Sequence, residues 1–142
     1  MNEPKNKPAL LILDTSLILE LFKTKRFDLV ELRALSGAKE VVLPKSVGGE
    51  LEKLGRKDIL GYLVSSGCAI AESGSKTRHG DREIEELCLK FAPDREIVIG
   101  TQDFALASKL KSFKGKFGHI FERGGKKLGF SHIGERLPGR KS

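Results

Sequence analysis

A chain of 142 residues holds one domain, and a globule of this size buries roughly 70% of the surface its unfolded chain exposes, so neither disulfides nor a structural metal is needed to hold a core. Lys and Arg number 26 against 19 Asp and Glu, a formal charge of +7 that favours a polyanionic partner over an acidic or neutral one. No apolar run approaches the ~20 residues of a membrane helix, and Asn, Glu, Lys and Pro stand where a secretory signal has an apolar segment; the expectation is a cytoplasmic protein with no membrane partner.

In chain order, residues 1–8 read as a polar, proline-bearing leader. Ala9 to Leu13 are five consecutive apolar residues that run straight into Asp14, Thr15 and Ser16. Such an unbroken run fits a strand of a parallel sheet covered by helices on both faces, since a half-exposed antiparallel strand alternates. Asp14 then stands at the carboxyl end of the strand, and ligands of open α/β sheets bind outside that edge. A helix is expected from Leu17, with Thr15 or Ser16 as its N-cap. Leu17 to Phe22 and Phe27 to Leu35 repeat apolar residues at helical spacing, and Gly37 ends the second helix. Val41 to Leu43 reads as a second strand, and Pro44 turns the chain into a helix bearing Val47, Glu50, Leu51 and Leu54. Gly48 and Gly49 fall inside this helix and disfavour it by roughly 1 kcal/mol each, so either it starts late or something approaches its backbone closely.

Ile59 to Val64 form a further amphipathic helix closed by Gly67, and Cys68 to Ala71 a third strand. The polar segment from Glu72 to Gly80 leads to Asp81 and to a helix whose Ile84, Leu87, Cys88 and Phe91 share one face, stopped by Pro93. Ile97 to Ile99 is a fourth strand, followed by Gly100, Thr101, Gln102 and Asp103 and then a helix through Leu106, Ala107 and Leu110. Asp103 therefore repeats the position of Asp14. Phe117 to Phe121 reads as a fifth strand, and the basic, glycine-rich residues from about 129 to 142 as a partly loose tail. Cys68 and Cys88 lie in apolar segments without a CxxC spacing, so they read as reduced core thiols. Strands alternating with helices throughout predict a single α/β domain over 1–142, with a parallel sheet of about five strands between helices on both faces.

Asp14, Glu50, Asp81 and Asp103 all sit where a strand gives way to a helix or just inside the helix. Singly, each has an ordinary structural role as a cap, a turn residue or a partner of a helix dipole. Together they differ, because all strand-to-helix junctions of a parallel sheet open on one edge, where crowded carboxylates repel unless a cation neutralises them. Oxygen ligands without a Cys or His cluster point to Mg²⁺ or Mn²⁺. Asp14, Asp81 and Asp103 are the candidate ligands of that ion, with Glu50 acting through water or a second ion. Such an ion lowers the pKa of a bound water and stabilises charge on a phosphate, so no side-chain nucleophile is required. Thr101 and Ser16 are candidates to orient the carboxylates, and Lys45, Lys76, Arg78 and Arg123 to contact phosphates.

The pieces LILDTSLIL (11–19), VVLPKSVGGELEKL (41–54), GDREIEELCLKF (80–91) and IVIGTQDFALASKLK (97–111) resemble, in order, those of the PIN-domain family of metal-dependent ribonucleases, including its archaeal-type and VapC-like members. The family's four acidic positions fall on Asp14, Glu50, Asp81 and Asp103, and its hydroxyl positions on Thr15 or Ser16 and on Thr101. The resemblance implies a three-layer α/β/α sandwich, Mg²⁺ or Mn²⁺ as cofactor, and hydrolysis of single-stranded or structured RNA to leave a 5′-phosphate. A VapC-type toxin with its antitoxin, an RNA-processing nuclease with a ribosome-assembly partner, and a homodimer of either all agree with it. The rival from another class is a catalytically silent PIN fold that binds RNA as a scaffold in ribosomal-RNA processing; the presence of all four acids argues against decay of the site. A dehalogenase-like phosphatase needs a second Asp two positions after Asp14, where Ser16 stands, and Ser73 to Thr77 lacks the first glycine of a P-loop.

Overall fold

A computed structural model describes residues 7–73, 80–125 and 127–133, with Gly80 and Asp81 described by their backbone alone. Six strands form one sheet: β1 (Ala9–Leu13), β2 (Ala38–Pro44), β3 (Ala69–Ala71), β4 (Ile97–Gly100), β5 (Phe117–Arg123) and β6 (Lys127–Ile133). Their spatial order is β3-β2-β1-β4-β5-β6, and every neighbouring pair is parallel except β5 with β6. The helices are α1 (Thr15–Lys23), α2 (Leu29–Ser36), α3 (Lys45–Lys53), α4 (Lys57–Ser65), α5 (Gly80–Phe91) and α6 (Phe104–Lys109), with a 3₁₀ turn at Leu110–Ser112.

The apolar run of β1 explains the layering. Leu11 and Leu13 pack into one core with Leu17, Leu21, Leu32, Leu51 and Leu63 of α1 to α4, while Leu10 and Ile12 pack into a second with Ile84, Leu87 and Leu106 of α5 and α6. Leu10 to Leu13 are therefore buried from both sides, which is the three-layer α/β/α arrangement. Strand order reverses between β1 and β4, the switch point at which the carboxyl ends of an open sheet leave a crevice. Asp14 leaves β1 there, and Thr101 to Asp103 leave β4 beside it.

Four local expectations are corrected. To the expected sheet of about five parallel strands a sixth is added, since residues 129–133, expected within a partly loose tail, belong to antiparallel β6. Gly124 and Gly125, both at positive φ, turn the chain into this hairpin, and Ile133 reaches the second core beside Phe117; residues 134–142 lie outside the described residues. Helix α1 begins at Thr15 instead of Leu17, with Asp14 at the N-cap and making no side-chain capping bond, because the Asp14 carboxylate is engaged elsewhere. Helix α2 begins at Leu29, where the Asp28 carboxylate accepts the Val30 and Glu31 amides. Finally, α3 does not start late but runs through both glycines.

Neither glycine of α3 is required by close packing. A Cβ on Gly48 would sit 3.6 Å from Leu60 Cδ1, an ordinary contact, and one on Gly49 would meet nothing within 4 Å. Gly49→Ala is accordingly expected to raise the stability of the domain by about 0.5–1 kcal/mol, through lost backbone freedom in the unfolded chain. Urea denaturation with an unchanged m-value and a higher midpoint is the result to look for; a lower midpoint would show that the exposed face of α3 needs the glycine.

Candidate functional site

The Asp14 backbone amide continues the ladder of the sheet by donating to the Gly100 carbonyl at 2.8 Å, which sets the end of β1 against the end of β4. Gly100 itself permits this approach, since a Cβ there would lie 2.9 Å from both Leu13 Cδ2 and Leu17 Cδ2. On that base, two hydroxyls converge on one carboxylate oxygen. Ser16 Oγ donates to Asp14 Oδ2 at 2.8 Å and Thr101 Oγ1 donates to the same atom at 2.6 Å. Each hydroxyl also accepts a backbone amide of the loop after β4, Ser16 Oγ from Gln102 at 2.9 Å and Thr101 Oγ1 from Asp103 at 2.9 Å. A hydroxyl has one proton and two lone pairs, so this pattern fixes the direction of both groups. The carboxylate of Asp14 is thereby oriented, with Oδ1 receiving neither hydroxyl.

Asp103 caps α6, its Oδ1 accepting the Leu106 amide at 3.0 Å. Glu50 lies exposed on α3 and is tied back to α1 by Thr15 Oγ1, which donates to its Oε1 at 2.8 Å. Thr15 and Ser16 thus divide the work: the first serves Glu50, the second Asp14. Asp81 stands in the first turn of α5, and its side chain lies outside the described residues, as do Lys76 and Arg78. Lys45 opens α3, where it pairs with Glu72 at 3.3 Å in an exposed ion pair. Arg123 ends β5 and is exposed.

Three side chains that sequence reasoning passed over support this edge. Gln102 pairs with the backbone of Glu122 in both directions, its Oε1 accepting the amide at 2.6 Å and its Nε2 donating to the carbonyl at 3.2 Å. The loop between Thr101 and Asp103 is so held like an extra rung of the sheet. Glu83, 5% exposed, supplies the acceptor that Pro44 cannot, taking the Ser46 amide at the N-terminus of α3 at 2.8 Å. This contact joins the first turn of α5, and with it the backbone of Asp81, to the helix carrying Glu50. A signal existed for it, since Pro44 left α3 without a cap, but no local rule says which helix will provide one.

His119 is the third. Its ring is buried behind the loop, with Nε2 donating to the Thr101 carbonyl at 2.8 Å. Burial pushes its pKa below the usual histidine value, and the bond to Thr101 opposes this only in part. The unfolded chain then binds more protons than the folded one once pH falls below the unfolded value of about 6.5, so stability contributed by neutral His119 is present above that pH and lost as pH falls toward the folded value. Melting temperature is expected to drop between pH 7 and pH 5, with a shallower drop in His119→Gln; equal slopes in the two proteins would assign the loss to other groups.

The donors fit a hard divalent ion. They are carboxylate oxygens, one of them oriented by two hydroxyls, with no thiolate or free imidazole beside them among the described residues. Cys68 and Cys88 are buried elsewhere, their thiols pushed up by burial to about 11 and about 12 respectively, and take no part. Among the described residues no three His, Cys, Asp or Glu side chains stand close enough together to hold an ion; Asp14, Glu50 and Asp103 are the described members of the candidate set.

With this geometry in place, comparison with solved structures finds the PIN domain endonuclease Utp24, matched over 90% of this chain and 92% of that one with a TM-score of 0.68 at 23% sequence identity. The chain has the PIN-domain fold. No family model and no curated protein matches the sequence. At this identity the likeness is one of fold, and on the PIN fold Asp14, Thr101 and Asp103 of this chain occupy the switch-point edge. Function has to be argued from that edge.

Proposed function

We propose that this chain is a divalent-metal-dependent endoribonuclease that hydrolyses phosphodiester bonds of RNA, working in the cytoplasm. The observation that carries the reading is the grip of Ser16 and Thr101 on a single oxygen of Asp14, linked through the Thr101 hydroxyl to the amide of Asp103. A helix cap or a solvent-facing turn residue has no need of two converging hydroxyls, whereas a metal-ligating carboxylate has to be held in one orientation. Asp14, Asp81 and Asp103 would hold Mg²⁺ or Mn²⁺, with Glu50 at its margin. When bound, the ion supplies a water of lowered pKa and a counter-charge for the phosphate.

The chain's own residues do the rest. Ser16 and Thr101 keep Asp14 aimed, Gln102 keeps the loop from moving away, and Glu83 keeps α3, and so Glu50, at the edge. The surplus of basic residues favours RNA over neutral or acidic substrates, with Arg123 and Lys45 the described candidates for phosphate contact. The toxin and RNA-maturation roles share this chemistry and differ in substrate. Growth arrest on expression, reversed by Asp14→Asn, is expected of the first and not of the second.

The test is incubation of a 3′-labelled single-stranded RNA with the protein in Mg²⁺, Mn²⁺ or EDTA. Endonucleolytic fragments bearing 5′-phosphates are expected with either metal and none with EDTA. Cleavage that persists in EDTA sinks the metal-dependent reading, and RNA bound tightly but never cut under any divalent ion identifies a scaffold.

A further inference from the structure

We propose that Phe104 and Phe121 form a stacking platform for one unpaired base of the RNA strand that reaches the acidic edge, with Arg123 taking an adjoining phosphate. This rests on the RNA reading above and adds to it the feature of the substrate that is recognised.

Phe104 directly follows Asp103 and is 55% exposed, although it is the first residue of α6 and large and apolar. Its ring is not loose. It stands edge-on to His119 with centroids 4.9 Å apart and tilts against Phe121 at 5.1 Å, while Phe121 meets His119 at 4.9 Å. His119 is in turn anchored on the carbonyl of Thr101, the residue whose hydroxyl orients Asp14. The aromatic group and the carboxylate are thus fixed to the same loop, so a base lying on the rings would have its backbone led toward the acids.

The strand pattern adds the cation. His119, Phe121 and Arg123 alternate onto one face of β5, and Arg123, the last of them, is nearest the carboxyl edge of the sheet. Opposite Phe121 on β6 stands Gly129, where a Cβ would lie 2.7 Å from Phe121 Cε2 and 3.3 Å from Arg123 Cδ. The missing side chain lets the ring and the arginine stem lie down across the backbone of β6. What results is an aromatic surface whose Phe104 and Phe121 rings are inclined by 59°, so that a base facing one ring meets the other edge-on, with a guanidinium beyond it; among the described residues no carboxylate forms an ion pair with Arg123. Stacking on such a surface tolerates any base, because every base has a π-face, but it requires a base that is out of a duplex.

The experiment uses the full chain in EDTA and a short single-stranded RNA carrying 2-aminopurine at successive positions. Wild type is expected to quench one position strongly, and Phe104→Trp to keep that quench. Phe104→Leu, which retains apolar bulk without a π-face, should lose it and bind roughly 5- to 100-fold more weakly, with an unchanged salt slope. Arg123→Gln should keep the quench and reduce the slope of log K against log salt by about 0.7. Binding by wild type with no position quenched overturns the platform without recourse to any variant, and so does Phe104→Leu matching wild type in affinity and quench; in both cases metal-dependent cleavage would leave the nuclease reading standing. No binding of RNA by wild type in EDTA also overturns the platform, while cleavage in Mg²⁺ or Mn²⁺ decides the nuclease reading separately.

Discussion

Asp14→Asn is expected to abolish metal-dependent cleavage while leaving the protein folded. Asparagine keeps the shape of the side chain and a carbonyl oxygen that can accept from Ser16 and Thr101, so the hydroxyl arrangement that locks the loop after β4 survives. What disappears is the negative charge and one oxygen ligand. Thermal melts separate this outcome from a structural failure. An ion that binds only the folded state adds about 2.7 kcal/mol at a hundred times its Kd, which for a domain near this size corresponds to a rise of roughly 5 to 10 °C in melting temperature. Wild type should show a rise of that order in saturating Mn²⁺. The variant should melt within about 2 to 4 °C of wild type in EDTA, the shift that roughly 1 kcal/mol produces, and show a much smaller Mn²⁺ effect. A variant that melts far lower in EDTA and yet retains the full Mn²⁺ shift would remove Asp14 from the site and make it a structural residue.

Thr101→Val should lower activity about 10- to 100-fold, the usual consequence of removing a group that orients a metal-ligating side chain. Thr101 is fully buried, and its hydroxyl donates to Asp14, accepts from the Asp103 amide and lies 3.1 Å from Ser16 Oγ. Valine fills the same space and leaves that amide without an acceptor, for which the destabilisation is about 1–3 kcal/mol. Stability and activity therefore fall together in this variant, and the discriminating measurement is Thr101→Ser. Serine restores the hydroxyl while losing a methyl group, so activity per folded molecule should return to within a few-fold of wild type even though the melting temperature stays below it. If serine is as inactive as valine, packing of the methyl group against the core rather than the hydrogen bond is what the site requires.

Much of this protein was legible before its structure. The run Ala9 to Leu13 identified a strand buried on both faces because only a sheet covered twice can bury every residue of a strand, and the observed partition of Leu11 and Leu13 into one core and Leu10 and Ile12 into the other is that situation. Asp14 and Asp103 were legible as edge residues for the same reason: a carboxylate cannot stay within such a run, so it marks the end of it. Periodicity likewise located the helices, though the starts of α1 and α2 moved by two residues to Thr15 and Leu29, since capping depends on which side chain is free to cap. Strand β6 was missed because Lys127 to Ile133 alternates weakly and contains Gly129, whose absent side chain makes sense only once Phe121 lies over it.

Other features were decided by tertiary structure alone. Composition and spacing order the strands along the chain but not across the sheet, and it is the arrangement β3-β2-β1-β4-β5-β6 that sets Asp14 beside Thr101, 87 residues apart in sequence. Which hydroxyl serves which carboxylate followed from helix phase: α1 starting at Thr15 directs Thr15 to Glu50 and Ser16 to Asp14. The partners of Gln102, Glu83 and His119 were not legible, even though Pro44 showed that α3 lacked a cap, since each acts through a backbone group of a distant segment, and a backbone group looks the same wherever it stands in a sequence. The sequence by itself therefore determined which residues are apolar enough to be core and which acids must lie at its edge, because burial free energy depends on residue type. Only the packed sheet decided which of those acids are oriented and by what, because hydrogen bonds depend on positions fixed to within a fraction of an ångström, and strand order, register and helix phase supply those positions.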